Sequence, residues 1–165
     1  MFDETLLTSA RDLVTAATAK SLKIATAESC TGGLITGLLT EVAGSSAVVD
    51  RGFVTYSNAA KTAVLDIPAD LIAADGAVSE AVAIAMVAGA LSHADADIAV
   101  AVTGVAGPGG GSSQKPVGTV HMAAQRRERT PVHRLRHYGD LGRSGVRRAT
   151  IIDAVAMMRL LVDTA

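Results

Sequence analysis

The 165-residue sequence predicts an α/β protein, a three-layer α/β/α sandwich built on a mixed, largely parallel sheet. Short apolar segments typical of buried strands alternate with helical segments, as parallel strands joined by crossover helices require. Two consecutive strand segments near the end of the chain add an antiparallel pair. Because the length suits one domain and the sequence shows no internal repeat or linker, we expect a single domain over residues 1–165.

The first part of the chain predicts one helix and two strands. A helix is predicted over 3–19, because apolar residues recur on one face and Asp3 is suited to cap its first turn. The apolar residues 22–27 predict a strand, which runs into a glycine-containing turn and a further helical pattern. The segment 47–56, which contains three valines together with a phenylalanine and a threonine, predicts the next strand, with Gly52 as a candidate bulge.

Three helical segments follow. Ser57 is predicted to cap a short helix over 58–65, and Pro68 to open another helical turn. Ser79 begins a long alanine-rich helix that ends near His93.

The last part of the chain supplies three strands and a closing helix. Residues 97–103 are apolar at nearly every position, which is typical of a strand buried on both faces. A glycine-rich loop over 104–116 leads into a strand over 117–124. Residues 131–138 alternate and predict an edge strand, and a final helix is predicted over 143–162.

Composition excludes several classes of function. Aromatic residues make up 2% of the chain, too few for the stacking platforms that bind single-stranded nucleic acid. The formal net charge of −1 gives no overall field that favours a polyanion. The sequence contains neither an apolar run that could span a bilayer nor a signal-peptide pattern. We therefore expect a cytoplasmic protein that binds neither nucleic acid nor a membrane.

Basic side chains are concentrated towards the end of the chain, where residues 126–165 carry 9 of the 15 lysines and arginines. One interpretation is a solvated edge strand and helix face. The other is that one or two arginines bind a substrate phosphate, and Arg147, at the start of the last helix, is the residue we favour.

The turn over 27–33 is the first candidate site, because it joins the end of a buried strand to the start of a helix. Ser29 or Cys30 is the candidate nucleophile. The N–H groups of Thr31, Gly32 and Gly33 are candidate oxyanion donors. The alternative is that Ser29 only caps the helix and the glycines only aid packing.

Lys61 defines the second candidate site. It lies early in an apolar helix, where burial and the helix dipole would both lower its pKa, as a neutral general base requires. A Ser–Lys pair can then perform acyl transfer without histidine. The alternative is an exposed lysine on a short amphipathic helix. Tyr56 precedes Lys61 by five positions, which differs from the Tyr-x3-Lys spacing of short-chain dehydrogenases.

The glycine-rich loop that follows the buried strand is the third candidate site. Thr103, Gly104 and Gly107 are expected to bind an anionic group of the substrate, because glycines and unpaired N–H groups form anion-binding nests. The loop is not a P-loop, since no Gly-Lys-Ser/Thr sequence closes it. A mobile surface loop is the alternative.

The four histidines predict no metal site. His133 and His137 can share one strand face, but no suitable third ligand lies near them in sequence. His93 and His121 are expected to be isolated.

Five segments together resemble the C-terminal domain of the competence-damage-inducible CinA proteins, and the resemblance runs over nearly the whole chain. They are TAESCTGG at 26–33, GSSAVVDRGFVTYSNAAK at 44–61, GAVSE at 76–80, VTGVAGPGGGSSQKPVGTV at 102–120 and GVRR at 145–148.

The resemblance implies hydrolysis of the carboxamide of nicotinamide mononucleotide to nicotinate mononucleotide and ammonia, a step of pyridine-nucleotide salvage. It implies that Ser29 attacks the amide carbon and that Lys61 accepts the serine proton. Tyr56 would orient these groups or relay a proton. No cofactor or metal is then needed. A non-catalytic nucleotide-binding module and a hydrolase of another small amide remain alternatives.

Two further expectations concern organisation. Larger members of the family carry an additional N-terminal domain associated with pyrophosphatase activity, and we expect neither that domain nor its activity in these 165 residues. Apolar residues on more than one face of the helical segment 146–162 suggest a subunit interface, so we expect a homodimer.

Overall fold

The computed structural model describes residues 2–165, in which five strands form one mixed sheet with helices on both faces. The strands are β1 (Ile24–Glu28), β2 (Val49–Val54), β3 (Ile98–Gly104), β4 (Thr119–Arg126) and β5 (Val132–His137). The helices are α1 (Glu4–Ala19), α2 (Leu34–Thr40), α3 (Asn58–Leu65), α4 (Ala69–Asp75), α5 (Glu80–His93) and α6 (Gly142–Asp163).

The sheet order is β2-β1-β3-β4-β5. Strand β1 is parallel to both β2 and β3, whereas β4 is antiparallel to β3 and β5 is antiparallel to β4. The predicted α/β/α sandwich is therefore confirmed, with two parallel and two antiparallel pairings. Because β1, β2 and β3 run in the same direction, the residues that follow them meet at one edge of the sheet.

Two apolar layers enclose the sheet. On one face α1, α2 and α6 bury side chains such as Leu13, Ile35 and Met158. On the other face α5 and α3 bury Met86 and Leu65. Strand β3 lies between the layers and is buried along nearly its whole length, as its continuous apolar sequence predicts.

The predicted caps Asp3 and Ser57 are confirmed, and Ser79, where the alanine-rich helix is predicted to begin, caps α5 in the same way. Asp3, Ser57 and Ser79 each accept a hydrogen bond from the backbone N–H three residues later, at distances of 3.0 to 3.3 Å. The Ser57 cap matters for the site, because it fixes where α3 begins and hence where Lys61 lies.

Gly52 does not mark a bulge, so that prediction is wrong. It pairs in register with Thr26, and the irregularity in this strand pair lies earlier, between the pairs at Ile24 and Ala25. Glycine is needed for packing instead, because a Cβ at this position would collide with the side chain of Thr36 on α2.

His121 is not isolated, which corrects another expectation. Its Nδ1 lies 3.0 Å from Nε2 of His133, and the two rings stack. The contact arises because β4 and β5 pair antiparallel and place both side chains on the same sheet face.

Across residues 2–165, no helix has the length and apolar character needed to cross a membrane.

Candidate active site

A cleft of about 230 Å³ opens at the edge of the sheet where β1, β2 and β3 end. Ser29 follows β1, Thr55 follows β2 and Gly104 ends β3. Backbone hydrogen bonds hold these ends together: Ser29 N–H donates to the carbonyl of Val102 at 3.0 Å, and Thr55 N–H donates to that of Glu28 at 2.9 Å. The parallel strands therefore bring the first two candidate sites into one place.

Ser29 and Lys61 are in direct contact. The Lys61 Nζ lies 3.0 Å from the Ser29 Oγ and donates to the Thr55 carbonyl at 2.9 Å. Lys61 is 1% exposed, so the interpretation as an exposed lysine on an amphipathic helix is wrong. Burial lowers the pKa of the Lys61 ammonium from its ordinary value, and the nearby start of α3 favours the neutral amine as well.

The two partners of Lys61 suit a proton acceptor. A neutral amine has two N–H donors and one lone pair. When one N–H donates to the Thr55 carbonyl, the lone pair can turn to the Ser29 hydroxyl and accept its proton. The arrangement can therefore generate a serine alkoxide in a buried position.

Cys30 is the weaker candidate nucleophile. It is buried and packs in the apolar layer that includes α2, as a small hydrophobic side chain would. Burial raises the pKa of the Cys30 thiol to about 12, so the reactive thiolate is strongly disfavoured at neutral pH.

The turn after Ser29 uses most of its own donors. Gly32 N–H donates to the Ser29 carbonyl at 3.1 Å, and Gly33 N–H donates to the Glu28 carboxylate at 3.0 Å. The Thr31 hydroxyl donates to the same carboxylate at 2.6 Å. Within residues 2–165, the N–H groups of Cys30 and Thr31 form no hydrogen bond with another residue.

Two of the three residues predicted for the third candidate site lie in the cleft wall, at the end of β3. Thr103 and Gly104 line the cleft, and the Thr103 hydroxyl donates to the Ala77 carbonyl at 2.7 Å. Gly104 must be small, because a Cβ there would lie 2.7 Å from Val120. Gly107 lies behind the wall, where its carbonyl accepts a hydrogen bond from Arg143 at 3.0 Å.

Tyr56 and Arg143 form the outer part of the cleft. Arg143 Nη2 donates to the Tyr56 hydroxyl at 2.7 Å, and both side chains are exposed along the cleft wall. Within residues 2–165, Tyr56 forms no hydrogen bond with Ser29 or Lys61. Arg143 was missed from the sequence, although its position one turn before Arg147 on the same helix could have indicated it.

Arg147 lies behind the nucleophile rather than in the cleft. Its Nη2 donates to the Thr31 carbonyl at 2.7 Å, and its Nε is buried without a hydrogen-bond partner among residues 2–165. The guanidinium also lies close to Gly32. Arg147 therefore supports the turn that carries Ser29, and Arg143 is the arginine that lines the cleft.

Several other arginines serve the fold. Three of them make specific structural contacts: Arg127 with carbonyls at the end of α5, Arg136 with Asp153, and Arg148 with Asp3.

Throughout residues 2–165, no three His, Cys, Asp or Glu side chains gather as a metal site would require.

Comparison with known proteins adds a family to this geometry. The family described as the CinA C-terminal domain matches residues 7–162. The crystal structure of a competence/damage inducible protein from Agrobacterium tumefaciens is 49% identical, with a TM-score of 0.95 over 99% of this chain and 98% of that one. A CinA superfamily protein from Escherichia coli is 31% identical, with a TM-score of 0.88 over 98% and 93%.

Curated relatives are longer. A CinA-like protein from Anaeromyxobacter dehalogenans is 49% identical over 150 residues, which cover 90% of this chain and 36% of the relative. A CinA-like protein from Mycobacterium sp. (strain JLS) is 54% identical over 142 residues, covering 85% and 33%. The chain thus spans about a third of the length of the curated relatives it matches.

Proposed function

This chain belongs to the CinA C-terminal domain family, and we propose that it is an amidohydrolase that converts nicotinamide mononucleotide to nicotinate mononucleotide and ammonia. The observation that carries the proposal is the 3.0 Å contact between a buried lysine amine and a serine hydroxyl at the wall of an open cleft. A buried lysine without a carboxylate partner is costly to keep, and general-base chemistry gives it a purpose.

The proposed reaction proceeds through an acyl-enzyme. The Lys61 amine takes the Ser29 hydroxyl proton while Oγ attacks the carboxamide carbon. The tetrahedral intermediate collapses, and the Lys61 ammonium returns that proton to the departing nitrogen, which leaves as ammonia. Lys61 then takes a proton from water, whose oxygen attacks the ester, and the protonated lysine reprotonates Ser29 as nicotinate mononucleotide leaves.

The developing oxyanion needs donors near Ser29. We assign this role to the N–H groups of Cys30 and Thr31, because their neighbours in the turn already donate elsewhere. The N–H of the residue that follows a nucleophile is a common oxyanion donor at strand-to-helix turns. Loss of one such donor costs on the order of 10²-fold to 10³-fold in kcat.

The charge of the cleft supports an anionic substrate. The Arg143 guanidinium, which stays protonated, lines it, and within residues 2–165 no Asp or Glu side chain does. Since Lys61 is engaged at the reacting end, Arg143 is the side chain proposed to bind the substrate phosphate. Tyr56 and the Gly107 carbonyl hold the guanidinium at the cleft wall.

Arg143→Ala is expected to raise KM for nicotinamide mononucleotide by on the order of tenfold to 100-fold, because the substrate phosphate loses one charge-assisted hydrogen-bond donor group. Hydrolysis of the dephosphorylated riboside should change little. Steady-state kinetics on both substrates measures the difference. Arg159→Ala is the matched control, because Arg159 lies on the same helix outside the cleft and pairs with Asp163. Equal losses on both substrates would assign Arg143 a structural role.

Ammonia release from nicotinamide mononucleotide by the purified protein tests the proposal directly. We expect one ammonia for each nicotinate mononucleotide formed, with undiminished rate after exhaustive treatment with EDTA. Nucleotide binding without ammonia release would support a non-catalytic binding module. Release of ammonia only from other amides would support a hydrolase with a different substrate.

The active form is proposed to be a homodimer. Large apolar side chains remain exposed on α6, at Ile152 and Leu160, and on the edge strand β5, at Val132. Covering them in a second copy would remove apolar surface from water, which stabilises an interface.

A further inference from the structure

A buried carboxylate stands directly before the nucleophile, and none of the proposed chemical steps uses it. Glu28 ends β1 and is 0% exposed. One oxygen, Oε2, accepts hydrogen bonds from the Thr31 hydroxyl at 2.6 Å and from the N–H groups of Gly33 and Ile35 at 3.0 Å each. The other, Oε1, accepts from the Thr36 N–H at 2.8 Å and its hydroxyl at 2.9 Å.

These contacts occupy the start of α2. Without Glu28 the N–H groups of Gly33, Ile35 and Thr36 would be free donors at the positive end of the helix. The carboxylate fills that position from inside the protein. A substrate anion therefore has no access to these donors, although a strand-to-helix turn commonly offers them.

Glu28 is tied to both members of the catalytic pair. Its side chain fixes the turn that follows Ser29, through Thr31 and the start of α2. Its backbone carbonyl accepts the Thr55 N–H at 2.9 Å, and the Thr55 carbonyl in turn accepts the Lys61 amine at 2.9 Å. One residue thus sets the positions of the nucleophile and of its base.

We propose that Glu28 is a positioning residue for the hydrolytic reaction: it keeps Ser29 Oγ in line with Lys61 Nζ and leaves only the Cys30 and Thr31 N–H groups to the oxyanion. The inference rests on the proposed amidase function. It follows from the chain of contacts that runs from the carboxylate through the turn and through Thr55 to the pair.

The position requires a carboxylate rather than an amide. Backbone N–H groups point at both oxygens, from Gly33 and Ile35 on one side and from Thr36 on the other. A glutamine must direct its NH₂ at one of these donors, whichever way it is turned. The turn must then shift, and displacement of a reacting atom by about 1 Å can cost on the order of 10²-fold in rate.

The test compares Glu28→Gln with Glu41→Gln. Glu41 is an exposed glutamate at the end of α2, the helix whose start Glu28 contacts, so the control makes the same chemical change away from the turn. Three quantities are measured: kcat and KM for nicotinamide mononucleotide, the rate at which a small neutral fluorophosphonate labels Ser29, and the folded fraction by circular dichroism. For Glu28→Gln we expect kcat and the labelling rate to fall by on the order of tenfold to 100-fold, with KM nearly unchanged. Glu41→Gln should match the wild type.

Folded Glu28→Gln with wild-type kcat and labelling would overturn the inference. If that variant does not fold, Thr31→Val replaces it, because this change removes one hydroxyl donor to the carboxylate and keeps the remaining contacts. A lower kcat at unchanged KM is expected, and an unchanged kcat would contradict the proposal. If the wild-type protein is labelled at Ser29 but releases no ammonia, only the proposed substrate, nicotinamide mononucleotide, is refuted. The labelling rates of the variants then decide the role of Glu28.

Discussion

Ser29→Ala is expected to abolish ammonia release from nicotinamide mononucleotide, lowering kcat by on the order of 10³-fold or more. The change removes the oxygen that forms the acyl-enzyme and leaves Lys61 without an acid partner at 3.0 Å. The fold should be preserved, since alanine fills the position and the Ser29 backbone keeps its strand contact with Val102. Binding of the nucleotide, measured by calorimetry, should be largely retained, which separates chemistry from recognition.

Cys30→Ala is the matched control for this prediction. The two residues are adjacent and both contribute to the cleft wall, but the Cys30 thiol has its pKa raised to about 12 by burial. We expect this variant to stay active, with some loss of stability because a buried side chain is shortened. If Ser29→Ala kept more than about a tenth of the wild-type rate while Cys30→Ala lost it, the nucleophile would be the thiol.

The elements of the fold are largely predictable because the signals that define them are local. Apolar periodicity identifies the helices, and continuous apolar residues identify β3. The caps Asp3, Ser57 and Ser79 are read from residue type alone, since a short polar side chain before a helical pattern has one favourable hydrogen bond to make. The irregularity in β2 depends on pairing with β1, so it is not visible in the local sequence. Gly52 was misassigned because a side chain at this position is excluded by Thr36, which lies on another element.

The site is predictable only in part. The pairing of Ser29 with Lys61 is predicted from the chemistry of Ser–Lys pairs and from the family resemblance. The fold explains why the two meet, because residues that follow adjacent parallel strands lie at one edge of the sheet. The sequence allows a buried Lys61 but does not decide for it, because a short helix with one apolar face fits an exposed lysine equally well. Its position is decided by a carbonyl acceptor at Thr55 and by the cleft wall, which are tertiary features.

The arginines show the same limit. Arg143 and Arg147 are one turn apart at the start of α6, so their spacing places both on one stripe of the helix. The packing of α6 decides that Arg147 reaches the carbonyl of Thr31 while Arg143 reaches the cleft. Glu28 was not identified from the sequence for a different reason. The hydrogen-bond partners of a glutamate in an apolar strand are set by how the following helix packs against it, which the local sequence does not specify.

Lys61→Arg is expected to be nearly inactive, with kcat reduced by on the order of 10²-fold to 10⁴-fold, the usual contribution of a general base. Guanidinium stays protonated throughout the accessible pH range, so it cannot accept the Ser29 proton. Lys61→Met is the companion variant, since it fills a similar volume without a charge. Both should still fold and bind nucleotide, because the Lys61 amine forms hydrogen bonds only with Ser29 and Thr55 among residues 2–165.

The pH dependence of the wild type provides the decisive measurement. Because burial lowers the pKa of Lys61, kcat should rise with pH along a single ionisation below the value of about 10.4 for a free lysine. Stability should follow the same linkage: between the lowered pKa and about 10.4 the unfolded chain binds more protons at this residue, so the free energy of unfolding rises with pH. Lys61→Met should lose that rise and be more stable than the wild type at neutral pH, as denaturant unfolding at several pH values will show. Substantial activity in Lys61→Arg, or a wild-type kcat that shows no ionisation below about 10.4, would mean that Lys61 acts as a fixed charge and accepts no proton.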